Sequence, residues 1–123
     1  MIVAGFGFRG AATLVSLQDA FAQVGGQADA LAVPADKAAA ECLILLAQSL
    51  LLPILAVTPQ DLQAQDTATR AERVVRLRGT GSVAEAAALA GAGPGARLVQ
   101  TRVVSRDRLA TAALAAQSDR GAA

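Results

Sequence analysis

Residues 1–24 constrain the fold more than any other part of the chain. An apolar segment, residues 2–7, runs directly into a glycine-rich bend that contains Arg9, and helical periodicity begins immediately afterwards. Apolar side chains then recur at spacings of three and four behind a candidate N-cap at Thr13. A strand that meets a helix N-terminus through a glycine loop presents free backbone N–H groups and the positive end of the helix dipole. The segment therefore predicts a strand, an anion-receiving loop and a helix.

A similar glycine loop returns at residues 79–82, where the pattern predicts the start of another helix. Ser82 and Glu85 have the spacing of a capping box, in which the serine hydroxyl accepts from the N–H of Glu85 and the carboxylate reaches back to the N–H of Ser82. Gly79 and Gly81 either let the backbone approach a ligand closely or simply set the turn. Two such loops in 123 residues suggest a site for a molecule that carries carboxylates or phosphates.

The remaining pattern alternates strands with helices and ends in a hairpin. Helices are predicted over 13–24, 34–51, 58–64 and 82–89, and further strands over 30–33, 54–57, 98–104 and 109–115. This order predicts a three-layer α/β/α fold whose mixed sheet has about five strands and a C-terminal antiparallel hairpin. One domain is expected over 1–116, followed by a disordered tail over 117–123. The arginine-rich stretch 65–78 is open between a short helix and a mobile basic flap.

The absence of histidine narrows the chemistry that the chain can perform. No Ser-His-Asp or Cys-His arrangement is possible and the usual metal ligands are missing, so neither a metal nor a cofactor is predicted. The lone cysteine, Cys42, lies in an apolar run and is interpreted as a small buried side chain. A single cysteine excludes an internal disulfide and suits a cytoplasmic location.

Charge and hydropathy argue against two classes of partner. With a net charge of +1 and only 2% aromatic residues, the chain lacks the basic stripe and stacking aromatics of a general nucleic-acid binder. The apolar span 38–57 is long enough to cross a bilayer, but Pro53 interrupts it and Gln48 and Ser49 lie within it. We interpret this span as a buried helix, a break and a core strand. Neither a nucleic acid nor a membrane is therefore predicted as a partner.

The candidate ligand-binding groups are two cations and the two glycine loops. Arg9 supplies a bidentate fork, although a surface arginine in a tight turn is the alternative. Lys37, the only lysine, stands at a predicted helix start, where a bound anion would offset its unfavourable interaction with the dipole; pairing with Glu41 is the alternative. Glu85 is the candidate catalytic residue because it lies beside the second loop. The remaining candidates are loop residues: Gly5, Gly7, Gly10, Gly79, Gly81 and Ser82.

Four segments of the chain follow a known pattern in order and spacing. They are the first glycine loop, a lysine that enters a helix, a leucine-rich exit with proline, and the second glycine loop, at residues 3–11, 31–37, 50–54 and 79–89. Together they resemble the CobE / CbiG C-terminal family of cobalamin biosynthesis. The resemblance implies an α/β domain that occurs alone as CobE or fused to the end of CbiG, which opens the lactone ring of a cobalt-precorrin. The chain is too short for the rest of a CbiG-like protein, so the stand-alone form of the oxygen-dependent pathway is expected.

The resemblance implies a role in cobalamin (vitamin B12) biosynthesis, with a precorrin or corrin intermediate bound by an accessory or carrier protein. Such a ligand is flat and edged with carboxylates, so its pocket should have a basic rim and an apolar floor. Two alternatives stay open. One is an enzyme, a hydrolase or isomerase that uses Glu85 or Lys37 as acid–base group. The other is a scaffold that contacts other pathway enzymes without binding a corrinoid. The carrier hypothesis requires both loops, Arg9 and Lys37 to face one hollow.

Overall fold

The computed structural model describes residues 1–117, together with all of their side chains except those of Arg73 and Leu77. The strands are β1 (Ile2–Phe8), β2 (Ala30–Pro34), β3 (Ile54–Val57), β4 (Ala96–Val104) and β5 (Ala110–Gln117). The α-helices are α1 (Leu14–Gln23), α2 (Glu41–Leu50), α3 (Pro59–Gln63), α4 (Glu72–Arg78) and α5 (Val83–Ala92), and a 3₁₀ turn, Ala35–Lys37, follows β2.

The five strands form one mixed sheet in the order β3–β2–β1–β5–β4. Strands β1, β2 and β3 are parallel, and β5 runs antiparallel to both β1 and β4. The chain turns between β4 and β5 through residues 105–109, which we call the β4–β5 turn. The sequence prediction of a mixed five-stranded sheet that ends in an antiparallel hairpin is confirmed.

Alternation of side chains along the strands divides the core into two layers. On one face Phe6 of β1 packs with Leu17 of α1 and Leu43 of α2. On the other face Val3 of β1 packs against the alanine-rich surface of α5, which includes Ala88. Because helices cover both faces, the predicted three-layer α/β/α arrangement is confirmed. Apart from Phe6 and Phe21, the buried hydrophobic clusters are aliphatic, as the composition leads one to expect.

Helix α5 lies so close to β1 that no side chain fits between them. A Cβ atom placed on Gly5 would lie 2.1 Å from the carbonyl oxygen of Ala84 and 2.4 Å from the backbone nitrogen of Ala88. The residues paired with Gly5 on the neighbouring strands, Ala32 and Ala113, are also small. Gly5 therefore serves the packing of helix on sheet, and it faces α5 instead of the open end of the first glycine loop.

The largest difference from the predicted elements is the start of α2. The helix predicted from Pro34 begins only at Glu41, because Pro34 continues the strand and pairs with Val57 of β3. Its backbone is extended (φ −56°, ψ 144°), and the 3₁₀ turn with Lys37 comes before the helix. The lysine therefore lies in a turn between strand and helix and not in the first turn of α2.

Two further expectations concern the arginine-rich stretch and the end of the chain. Residues 72–78 form a helix, α4, so the short-helix interpretation holds for the second half of the stretch 65–78. Gln117, assigned by prediction to a disordered tail, is the last residue of β5, and its side-chain amide donates to the carbonyl of Pro94 (2.9 Å). The rest of the predicted tail, residues 118–123, lies outside the described residues.

The apolar span 38–57 divides into α2, a break and β3, as the sequence predicts. Leu51 ends α2 in the left-handed conformation (φ 57°), and residues 52–53 connect it to β3. Within residues 1–117, no helix combines the length and the hydropathy that a membrane crossing demands.

Candidate ligand-binding site

A cavity of about 370 Å³ opens where the carboxyl end of β1 meets α4 and the β4–β5 turn. Five cationic side chains line it: Arg9, Lys37, Arg78, Arg102 and Arg108. Its apolar surface comes from Phe8, Val74, Val83, Val104, Leu109 and Ala110. None of the described residues that line this basic cavity is acidic. The walls therefore combine apolar side chains, which we call the floor, with cationic side chains, which we call the rim.

The first glycine loop brings Arg9 and Lys37 together. The backbone N–H of Arg9 donates to the carbonyl of Leu109 (2.9 Å), which ties the loop to the β4–β5 turn. The Nζ atom of Lys37 lies 5.2 Å from the centroid of the Phe8 ring, within the range of a cation–π contact. Both cations are thus held at one edge of the sheet, as the sequence predicts for these two residues.

A hydrogen-bonded carboxylate fixes the β4–β5 turn that carries Arg108. Asp107 accepts from the hydroxyl of Ser105 (2.6 Å), the hydroxyl of Ser16 in α1 (2.6 Å) and the N–H of Leu109 (3.0 Å). These donors hold the pKa of Asp107 below its ordinary value, and the hydroxyl of Ser105 has the largest effect. Arg108 adopts a left-handed backbone (φ 64°), a conformation that costs a non-glycine residue on the order of 1 kcal/mol. The turn thus presents a charged side chain at a position that glycine would occupy more easily.

Arg78 at the end of α4 forms a bidentate ion pair with Asp36. Its two terminal nitrogens lie 2.7 and 3.0 Å from the two carboxylate oxygens. This hydrogen bonding lowers the pKa of Asp36 and raises that of Arg78 relative to their ordinary values. The pair joins the C-terminal end of α4 to the turn that contains Lys37, so it closes one side of the basic cavity.

Glu85 links two chain segments near the basic cavity through hydrogen bonds. Its side chain is fully buried (0% exposed) and accepts from the N–H and hydroxyl of Thr69 and from the N–H of Arg102, each at 2.8 Å. The Arg102 amide lies where the β4–β5 register shifts between Gln100 and Val103, a bulge that turns it toward α5. Burial alone would raise the pKa of Glu85, but the donors from Arg102 and Thr69 outweigh it and leave the pKa below its ordinary value.

The position of Glu85 argues against the acid–base role that the sequence suggested. The carboxylate is buried, is occupied by three donors and is not among the residues that line the basic cavity. The predicted capping box forms only in part. The hydroxyl of Ser82 accepts from the N–H of Glu85 (3.3 Å), but the carboxylate bonds Thr69 and Arg102 and does not return to Ser82. We therefore assign Glu85 a structural role.

The second glycine loop packs into the protein and does not line the basic cavity. A Cβ atom on Gly79 would lie 2.7 Å from the side chain of Gln63, and one on Gly81 would lie 2.5 Å from the carbonyl oxygen of Thr69. Ser82 is buried as the N-cap of α5. These glycines let chain segments approach each other, so the expected pairing of two loops around one hollow is not what the structure shows.

An adjoining cavity of about 320 Å³ shares Phe8, Arg9 and Lys37 with the basic cavity. It extends toward the first turns of α1 and α2, where Gly10 and the half-buried Cys42 line it. Gly7 lines the basic cavity. Of the predicted ligand-binding residues, the structure thus gathers Gly7, Gly10 and the two cations around two neighbouring cavities.

Three arginines of the rim were not among the predicted ligand-binding residues. Arg78 belongs to the stretch whose structure the sequence left open, and Arg108 to a short polar turn that was interpreted only as a hairpin connection. Arg102 lies within the predicted strand 98–104, without any local sign of the bulge that positions it. The excess of arginine over lysine was the available signal, because arginine is favoured wherever several carboxylates are bound by bidentate forks.

Metal-ligating side chains are not grouped in residues 1–117. Within that part of the chain no three or more Cys, Asp and Glu side chains come close enough together to hold a metal ion.

Comparison with known proteins identifies the family of the chain. The model of the family described as cobalamin synthesis G C-terminus matches residues 2–115. The chain belongs to this family. The resemblance drawn from the four sequence segments is thereby confirmed, and the protein is one of cobalamin biosynthesis.

Two solved structures are similar to this member of the cobalamin synthesis G C-terminus family. One is CobE, a protein from the cobalamin (vitamin B12) biosynthetic pathway, with a TM-score of 0.78 and 30% identity over 94% of this chain and 89% of that chain. The other is the cobalamin biosynthesis protein chiG from Agrobacterium tumefaciens str. C58, with a TM-score of 0.72 and 34% identity over 97% of this chain and 100% of that chain. Among curated proteins, nothing matches the chain.

Proposed function

We propose that this protein binds a precorrin or corrin intermediate of cobalamin biosynthesis in the basic cavity and acts as an accessory or carrier. The observation that carries the proposal is the composition of the cavity: five cations stand around an apolar floor, and no acidic residue is among its described lining residues. The family match and the similarity to CobE supply the pathway. A cytoplasmic location and contacts with other pathway enzymes belong to the same proposal.

The chemistry of the ligand fits the walls of the cavity. Corrin precursors are flat macrocycles whose acetate and propionate groups are ionised at neutral pH. Guanidinium groups bind such carboxylates in bidentate geometry, and Arg9, Arg102 and Arg108 come from three different elements, so they can reach separate groups. The apolar floor, which includes Phe8 and Leu109, suits the face of the macrocycle. The ring is larger than the basic cavity, so we place its remaining edge over the adjoining cavity beside Lys37.

Titration with hydrogenobyrinic acid tests the proposal. We expect the visible spectrum of the corrinoid to change and the corrinoid to elute with the protein in gel filtration. Arg9→Gln removes a charge-assisted contact and should weaken binding about tenfold or more. Arg97→Gln is the matched control, because Arg97 is an exposed arginine of β4 that lines neither cavity. Absence of binding by folded protein at roughly tens of micromolar would contradict the proposal.

The same experiments address the enzyme and scaffold alternatives. Since Glu85 is occupied by three donors, an acid–base reaction would fall to Lys37, whose ammonium lies over the Phe8 ring. Loss of precorrin turnover in Lys37→Arg with corrinoid binding retained would favour an enzyme. Recovery of pathway enzymes in pull-downs by a protein that ignores all corrinoids would favour a scaffold.

A further inference from the structure

The cations of the basic cavity are poorly neutralised by the protein itself. Within residues 1–117, Arg78 pairs with Asp36, whereas Arg9, Lys37, Arg102 and Arg108 form no ion pair with a carboxylate. Gathering like charges in one cavity costs free energy through mutual repulsion. That cost is recovered when a ligand brings negative charge to the site, so the cavity is built for a polyanion.

The hydrogen-bonding capacity of these side chains is as one-sided as their charge. Arginine and lysine only donate hydrogen bonds, and an ionised carboxylate only accepts them. A carboxamide has nearly the same shape, but it carries no charge and replaces one acceptor oxygen with an NH₂ donor. Against a guanidinium fork that donor faces another donor, so one of the two bonds is lost along with the ionic attraction.

We infer that the basic cavity reads the charge of the ligand's peripheral groups: it binds the corrinoid as a polycarboxylate and rejects the form in which those groups have become carboxamides. This inference rests on the proposed function and names the chemical state of its ligand. It places the protein before any reaction that converts the carboxylates to amides. Such a reaction would cause the ligand to dissociate by lowering its affinity for the protein. Arg9, Arg102 and Arg108 are the specificity-determining residues.

Comparison of hydrogenobyrinic acid with its diamide and with a fully amidated derivative tests the inference. Each charge-assisted pair lost lowers affinity about tenfold to a hundredfold, so the full amide should bind at least about a hundredfold more weakly than the acid, and the diamide should have an affinity between the two. Binding of the acid should weaken as salt is raised from about 0.1 to 1 M, and residual binding of the full amide should change little.

Variants separate charge recognition from packing against the floor. Replacing Arg9 and Arg108 by Gln should narrow the acid-to-amide affinity ratio, because acid binding falls while amide binding stays. Replacing both by Lys should keep most of the ratio, and Arg97→Gln should keep all of it. Circular dichroism establishes that each variant is folded. Equal affinity of the wild-type protein for acid and full amide overturns the inference and leaves the proposed function standing, whereas failure to bind the acid overturns both.

Discussion

The contact between Gly5 and α5 leads to a sharp prediction about stability. In Gly5→Ala the new methyl group would lie 2.1 Å from one backbone atom of the helix and 2.4 Å from another, where ordinary contact begins near 3.4 Å. Backbone atoms cannot rotate away as a flexible side chain can. The helix must therefore withdraw from the sheet by about 1 Å, and it loses packing against β1, β2 and β5 as it does so.

The expected decrease in the free energy of unfolding follows from the effect of adding volume to a well-packed core. Inserting one carbon into a well-packed interior costs about 1–3 kcal/mol, and displacement of a whole helix places Gly5→Ala at the upper end. The backbone of Gly5 is not left-handed, so alanine recovers about 0.4–1 kcal/mol through the unfolded state. A net loss of about 2–2.6 kcal/mol results. Since small domains are stable by about 5–15 kcal/mol, the variant should still fold in mild conditions.

Urea unfolding measures this loss. With a dependence on urea of about 1–3 kcal/mol per M, the midpoint of Gly5→Ala should fall by roughly 1–3 M. Gly10→Ala is the matched control, because a Cβ on Gly10 meets nothing within 4 Å, so its midpoint should stay level or rise slightly. Identical midpoints for both variants would refute the packing argument. Loss of corrinoid binding by a Gly5→Ala protein of normal stability would instead return Gly5 to the ligand site.

Two further predictions concern carboxylates. Glu85→Gln should lose about 1–3 kcal/mol at pH 7, because a buried amide cannot accept from three donors. Because folding lowers the pKa of Glu85, the stabilisation by its carboxylate is complete above the unfolded-state pKa of about 4.3 and is lost as the pH falls through the folded-state pKa. Urea unfolding from pH 7 to 3 should therefore show the free energies of unfolding of the wild type and Glu85→Gln converging. A double-mutant cycle with Asp36→Asn and Arg78→Gln should give a salt-sensitive coupling of only about 0.2–1 kcal/mol, since these side chains are 62% and 29% exposed; coupling above about 2 kcal/mol would contradict a surface pair.

The architecture could be predicted because its signals are local. The apolar runs of β1 to β3, each followed by helical periodicity, and the short polar connection of the hairpin are visible in single segments of sequence. The start of α2 could not be predicted in the same way. Pro34 is compatible with the first turn of a helix, and only its pairing with Val57 in β3, a contact between distant segments, keeps it in the strand.

Only part of the candidate site could be predicted from the sequence, for the same reason. Arg9 and Lys37 each follow an apolar strand, so the rule that parallel strands place their carboxyl ends at one edge brings them together. Arg78, Arg102 and Arg108 join them through a helix, a bulge and a left-handed turn, and no local pattern shows that these elements meet the first glycine loop. The two glycine loops look alike in the sequence because a glycine indicates a close approach to the backbone without showing whether a ligand or the protein itself approaches. At residues 79–82 that neighbour is the protein itself.

The shared carboxylate of Glu85 limits how the cavity can open. It binds the segment before α4 through Thr69 and the bulge of β4 through Arg102, so pulling that end of the helix outward would strand buried donors. At the other end of α4, Arg78 pairs with Asp36 at a more solvent-exposed position, and residues 79–82 then pack into the protein. Breaking the ion pair of Arg78 leaves no buried donor without an acceptor, so we expect the wall beside Asp36 to yield to an entering ligand before the wall beside Thr69.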